Sequence, residues 1–144
     1  NPGGAMLQDL NADGKQLYEH VGGFVNRLAQ ESLGQCGYGA VGAVVGATWP
    51  EQLAQLRAAM PQTWFLVPGF GSQGGTAADV VAAFDDRGLG AIVNNSRGIL
   101  FAYRREPYAK QFGETRWQEA VEAATRDMIE RLAADTPAGR LGKS

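Results

Sequence analysis

Metal-binding and redox-active side chains are what this chain has least of. One histidine (His20) and one cysteine (Cys36) stand in 144 residues, too few for a zinc site of the usual His/Cys type or for an internal disulfide. Lysine is also scarce: Lys15, Lys110 and Lys143 stand against ten arginines, and Arg104-Arg105 is the one adjacent basic pair. With a net charge of −2 and a pI near 5.4, no basic patch is expected and nucleic acid is excluded as a partner. No apolar run approaches membrane-spanning length, and the first residues show no secretory pattern. The expectation is a cytoplasmic protein without a membrane segment. Apolar residues make up 44% and charged residues 19%, the balance of an ordinary globular domain with a real core.

Glycine, by contrast, is abundant, with 20 residues falling mostly at expected strand ends. The most informative segment is Pro68-Gly69-Phe70-Gly71-Ser72-Gln73-Gly74-Gly75, which follows the apolar run Trp64-Phe65-Leu66-Val67 and precedes a helical pattern from Thr76. A strand feeding a glycine-rich turn and then a helix gathers backbone N–H groups around a phosphate. About twenty residues on, Gly90-Ala91-Ile92-Val93-Asn94-Asn95-Ser96-Arg97-Gly98 reads as another strand ending in a polar turn with an arginine. One strand end offering amides and the next a guanidinium suggest a phosphate grip.

Periodicity supplies the rest. Asn1-Pro2-Gly3-Gly4 reads as a turn, and a helix is expected from Gly14 to Leu33 with an apolar stripe of Leu17, Val21, Phe24, Val25 and Leu28. Ala40 to Ala47 is a continuous apolar run, the mark of a strand buried on both faces in a parallel sheet. Thr48-Trp49-Pro50-Glu51 has capping-box spacing and opens a helix to about Met60, stopped by Pro61. Thr63 to Val67 and Gly90 to Asn94 are strands, Ala77 to Asp86 a helix, and Gly98 to Tyr103 a helical turn. A last helix runs from Thr115 to Ala134 with Trp117, Ala120, Val121, Ala124, Met128 and Leu132 inward. Residues 1–134 then form the folded part, and 135–144 a loose tail.

Strand–helix repeats imply α/β architecture with a parallel sheet and right-handed crossovers. Three fully apolar strands leave open edges, so the chain is expected to be part of a larger assembly. A phosphate held at the last two strand ends, beside a short extra helix, is the habit of (β/α)8 barrels.

Asn1-Pro2-Gly3-Gly4, Val41-Gly42-Ala43-Val44-Val45-Gly46-Ala47-Thr48, the Leu66-to-Gly75 segment and Val93-Asn94-Asn95-Ser96-Arg97-Gly98-Ile99-Leu100 stand in the order and spacing of orotidine 5′-phosphate decarboxylases. Up to about Ala134 the chain resembles the C-terminal half of that family's longer bacterial members. The resemblance implies the second half of a (β/α)8 TIM barrel, usually a homodimer, converting orotidine 5′-monophosphate to UMP and CO2 without cofactor or metal. It implies that Gln73, with the backbone of Gly71 and Gly74, closes over phosphate and pyrimidine. It implies further that Arg97 binds the phosphate with the backbone around Ser96 and Gly98, and that Asn1 and Pro2 flank the pyrimidine. Phe70 and Ser72 replace the more usual Val and Ala, mild changes in a loop that works through its backbone.

One departure is large. The family's Asp-Lys-Asp motif, and a further lysine that assists it, have no counterpart in this sequence, and no lysine occupies an expected strand end. Cofactor-free decarboxylation needs a cation at the developing carbanion. The expectation is a chain with no catalytic residue of its own, completed by an N-terminal half-barrel that carries Asp-Lys-Asp. The alternative is a non-catalytic phosphate-binding half-barrel, stable only as an oligomer. His20 reads as structural, Cys36 as inert, and Trp49, Trp64 and Trp117 as packing residues.

Overall fold

The computed structural model describes residues 2–71 and 76–142. Asn1 and the loop residues Ser72, Gln73, Gly74 and Gly75 lie outside them, as does Lys143.

The chain opens with α1 (Pro2–Gln8) rather than the expected turn. Proline fits the first turn of a helix, and Ala5-Met6-Leu7-Gln8 are strong helix formers. A two-strand ribbon follows, β1 (Asn11–Ala12) antiparallel to β2 (Lys15–Gln16). Its turn is Asp13-Gly14, with φ of 51° and 78°, the Asp-Gly pair that two-residue hairpins favour. The ribbon delays α2 (Leu17–Gln30) past the expected start at Gly14. His20 is structural: its Nε2 donates to the carbonyl of Ala12 at 2.8 Å. The apolar stripe expected on α2 does not all turn inward. Gly22 and Ala29 are buried while Val21 and Phe24 stay half exposed. A β-carbon on Gly22 would come within 3.1 Å of both Leu56 and Met60, so the helix packs through its smallest residue.

Three parallel strands form the sheet in the order β3 (Gly42–Val44), β4 (Trp64–Val67), β5 (Ala91–Val93). In register, Ala43, Phe65 and Ala91 make one row, and Val44, Leu66 and Ile92 the next. The first row faces the helices, in a core that includes Leu53, Met60, Val67, Phe70, Val80 and Met128. The second is exposed, 71% at Val44 and 57% at Ile92. The strands are therefore covered on one face only among the described residues, not on both as their composition suggested.

Between β3 and β4 runs α3 (Pro50–Ala59). Pro50 opens it, but Trp49 precedes it without a side-chain cap and the Thr48–Glu51 capping box does not form. Arg57 of this helix donates to the carbonyls of Thr63 (2.7 Å), Ala83 and Gly90 (both 3.2 Å) and to that of Met60. Its guanidinium lies 4.0 Å from the centre of the Phe65 ring, and burial lowers its pKa.

The helix expected over Ala77–Asp86 is shorter: α4 (Ala77–Val80) passes into a 3-10 turn at Val81–Ala83. Asp85 ends it, because its Oδ1 accepts the N–H groups of Arg87 and Leu89, both at 2.9 Å. After β5 come α5 (Ser96–Leu100), a 3-10 turn (Ala102–Arg104), α6 (Tyr108–Phe112), which includes Lys110, and α7 (Trp117–Asp135). Ala120, Ala124 and Met128 form the buried line of α7. Trp49 and Trp117 are 66% and 48% exposed and do little packing, whereas Trp64 lies against Tyr38 with ring centres 4.6 Å apart. The segment after Ala134, expected to be loose, carries a 3-10 turn at Pro137–Arg140. Thr136 before it is buried and donates to the Leu132 carbonyl at 2.6 Å, and Arg140 donates to that of Asp86.

Candidate functional site

Parallel strands place their C-terminal ends on one side of a sheet, and ligands of α/β proteins bind there. β4 and β5 are neighbours, so the turns that follow them are neighbours too. The first is Pro68-Gly69-Phe70-Gly71. Gly69 and Gly71 have φ of 104° and 69°, a region glycine enters without strain. Phe70, 5% exposed, anchors the turn in the core. The second turn runs from Asn94 into α5.

Asn95 ties the two turns together. Its Oδ1 accepts the Gly98 N–H at 3.1 Å, capping α5. A β-carbon on Gly71 would come within 2.8 Å of Asn95 Nδ2, and one on Gly98 within 2.2 Å of Asn95 Oδ1. The amide is wedged between two backbones that only glycine allows this close. Gly98 gives its N–H to Asn95, while the amides of Ser96 and Arg97, in the first turn of the helix, have no acceptor among the described residues. The Arg97 side chain is exposed on this first turn. Asn94 lies one residue past β5, its Nδ2 3.4 Å from Ser96 Oγ, and its Oδ1 is buried with no partner among the described residues.

Behind the turns is a cleft of about 170 Å³ between Phe70, Gly71, Asn95 and Gly98 on one side and Tyr108 and Asp127 on the other. The Tyr108 hydroxyl donates to Asp127 Oδ2 at 2.5 Å. Burial, and then the Asp127 carboxylate, push the phenol up to about 12.

Of the residues singled out from sequence, Gly71, Ser96, Arg97 and Gly98 thus sit on two touching turns. Gln73, Gly74 and Asn1 lie outside the described residues, and Pro2 belongs to α1, which packs on α2. Asn94 and Asn95 stood in the motif without an assigned role; their signal was a polar pair straight after an apolar strand. Lys15 lies in β2 and Lys110 in α6, neither at the C-terminal end of β3, β4 or β5. The described residues hold no cluster of three or more metal-ligating His, Cys, Asp or Glu side chains. None of their helices is long and apolar enough to cross a membrane.

No family model matches the chain. Curated relatives do. It is 56% identical over 132 residues to the orotidine 5′-phosphate decarboxylase of Rhodopirellula baltica, covering 92% of this chain and 44% of the relative. The decarboxylase of the same name from Clostridium kluyveri is 42% identical over 135 residues, covering 92% and 45%. The chain therefore spans just under half the length of these relatives. Among solved structures, Leishmania donovani OMP decarboxylase aligns with a TM-score of 0.56 at 32% identity, covering 88% of this chain and 43% of that one. Leishmania donovani UMP synthase aligns with a TM-score of 0.58 at 36% identity, covering 87% and 25%.

Proposed function

This chain belongs to the orotidine 5′-phosphate decarboxylase family, matching the C-terminal half of its TIM barrel, and on that premise we propose that it supplies the phosphate-gripping half of the site that converts orotidine 5′-monophosphate to UMP and CO2. The observation that carries this reading is the pair of touching turns after β4 and β5, with Arg97 and the amides of Ser96 and Arg97, unpaired among the described residues, on one and Gly71 on the other. Gln73 and Gly74 complete the grip from the loop beyond Gly71, and Asn1 and Pro2 flank the pyrimidine. The phosphate is remote from the reacting carbon, but its binding energy holds the substrate and closes the loop.

The lysine and carboxylates that stabilise the carbanion come from the other half of the barrel, which carries the Asp-Lys-Asp motif. No cofactor or metal takes part, and the assembled enzyme works as a cytoplasmic homodimer. The test is decarboxylation of orotidine 5′-monophosphate by this polypeptide alone and after mixing with one that carries the Asp-Lys-Asp half. We expect no turnover alone and turnover on mixing, lost again with Arg97→Ala. Turnover by the chain alone would overturn the division of labour.

A second reading rests on the exposed row Val44, Leu66 and Ile92: a non-catalytic phosphate-binding half-barrel whose copies cover that row in one another. Under it, the chain binds UMP as an oligomer and mixing restores no turnover.

A further inference from the structure

The parallel ladder between β4 and β5 stops just short of the two turns. Its last rung is the Asn94 N–H donating to the Val67 carbonyl at 3.2 Å, and beyond it no backbone hydrogen bond joins the turns among the described residues. A side chain takes over there. Asn95, half-buried, follows the last rung, with Oδ1 accepting the Gly98 N–H at 3.1 Å and Nδ2 set against Gly71. Neither glycine leaves it room to spare: a β-carbon on either would come within 2.8 Å of the amide.

The amide meets each turn next to a residue of the phosphate grip. Gly71 leads into the loop that carries Gln73, and Gly98 follows Arg97 directly. Asn95 also lines the cleft of about 170 Å³ that separates the turns from Tyr108 and Asp127. Open space, and not packed side chain, lies behind the amide there. Two groups that grip one ligand must keep their separation to a fraction of an ångström.

We propose that Asn95 is a positioning residue of this site: its amide sets the spacing between the turn after β4 and the turn after β5, so that the loop beyond Gly71 and Arg97 close on the same phosphate. The inference rests on the phosphate-binding reading above and adds to it a residue that acts through its neighbours. Capping α5 is a second and separable duty of the same side chain. Serine caps a helix about as well as asparagine, but it is an atom shorter and brings no amide to Gly71.

The test is calorimetric titration of the chain with UMP and with uridine, beside urea unfolding, for the unaltered protein, Asn95→Ala and Asn95→Ser. A misplacement of about 1 Å in a site costs on the order of 100-fold, and a spacing that relaxes part of the way lowers the preference for UMP over uridine by about tenfold. The expected result is that serine keeps the urea midpoint and loses that preference, while alanine loses both and uridine binds all three alike. If serine keeps the midpoint and the preference, Asn95 only caps α5. If UMP and uridine weaken together, it does not serve the phosphate. Either result overturns the inference while the phosphate site stands. Should serine lower the midpoint as well, the same titrations in an Arg97→Ala background decide: a loss that shrinks there supports the spacing role, and one that persists in full overturns it. If the unaltered protein shows no preference for UMP, the phosphate-binding reading fails, and this inference with it.

Discussion

Gly98 is held to glycine by a neighbour and not by its own backbone. It lies inside α5, where alanine is favoured over glycine by about 1 kcal/mol, yet a β-carbon there would meet Asn95 Oδ1 at 2.2 Å. Gly98→Ala should therefore destabilise the protein by about 1–3 kcal/mol, as overpacking does. In an Asn95→Ala background the same change should cost less or become favourable. Urea unfolding of the four proteins of that cycle measures the coupling. Independent, additive effects would show that Asn95 is not the obstacle. This pairing could not be read from sequence. A guanidinium, a hydroxyl and glycines beside an apolar run stand out by residue type, which is why the sequence could single out Arg97, Ser96 and Gly71 on what prove to be neighbouring turns. Asn95 meets Gly71 across 24 positions, and a contact between two loops leaves no local pattern.

The cleft behind these turns owes its far wall to α6 and α7, where Tyr108 donates to Asp127. Burial and the neighbouring carboxylate both favour the neutral phenol, so its pKa rises from 10.0 to about 12. A raised pKa means the folded state binds the proton more tightly than the unfolded chain. The contribution is complete below pH 10 and declines as pH rises from there towards 12. Tyr108→Phe should remove that slope. Denaturant midpoints from pH 8 to 11.5 compare the two, and equal slopes would place the Tyr108 titration elsewhere.

The elements themselves were legible in proportion to their regularity. β4, α3 and α7 follow from apolar runs, a proline start and a long 3.6-residue period. α4 was overestimated because Asp85 diverts the backbone with its side chain. The start of α2 was misplaced because Asp13-Gly14 makes a hairpin inside a helical pattern.

At the scale of the whole molecule, the described residues form a sheet dressed on one side. Apolar composition announced a parallel sheet but not which face is covered, since a strand that is apolar throughout looks the same either way. The exposed row Val44–Leu66–Ile92 makes a prediction at this scale. The chain alone should associate with rising concentration, and Val44→Lys with Ile92→Lys should keep it monomeric in sedimentation velocity. The same pair should prevent complementation by an Asp-Lys-Asp half. A chain that is monomeric before substitution would sink the idea that this row seeks a cover.

The opposite rim of the sheet has a different character. There Arg57 gathers the carbonyls of Met60 and Thr63 ahead of β4, Ala83 after α4 and Gly90 ahead of β5, while Tyr38 reaches Asp85 at 3.1 Å. The fastening of the sheet and the turns proposed to hold the phosphate thus occupy opposite ends of the same strands. A lineage can retune heat tolerance at Arg57, Tyr38 and Asp85 without disturbing the turns beyond Val67 and Val93, and an engineer can exchange those turns without loosening the frame that carries them.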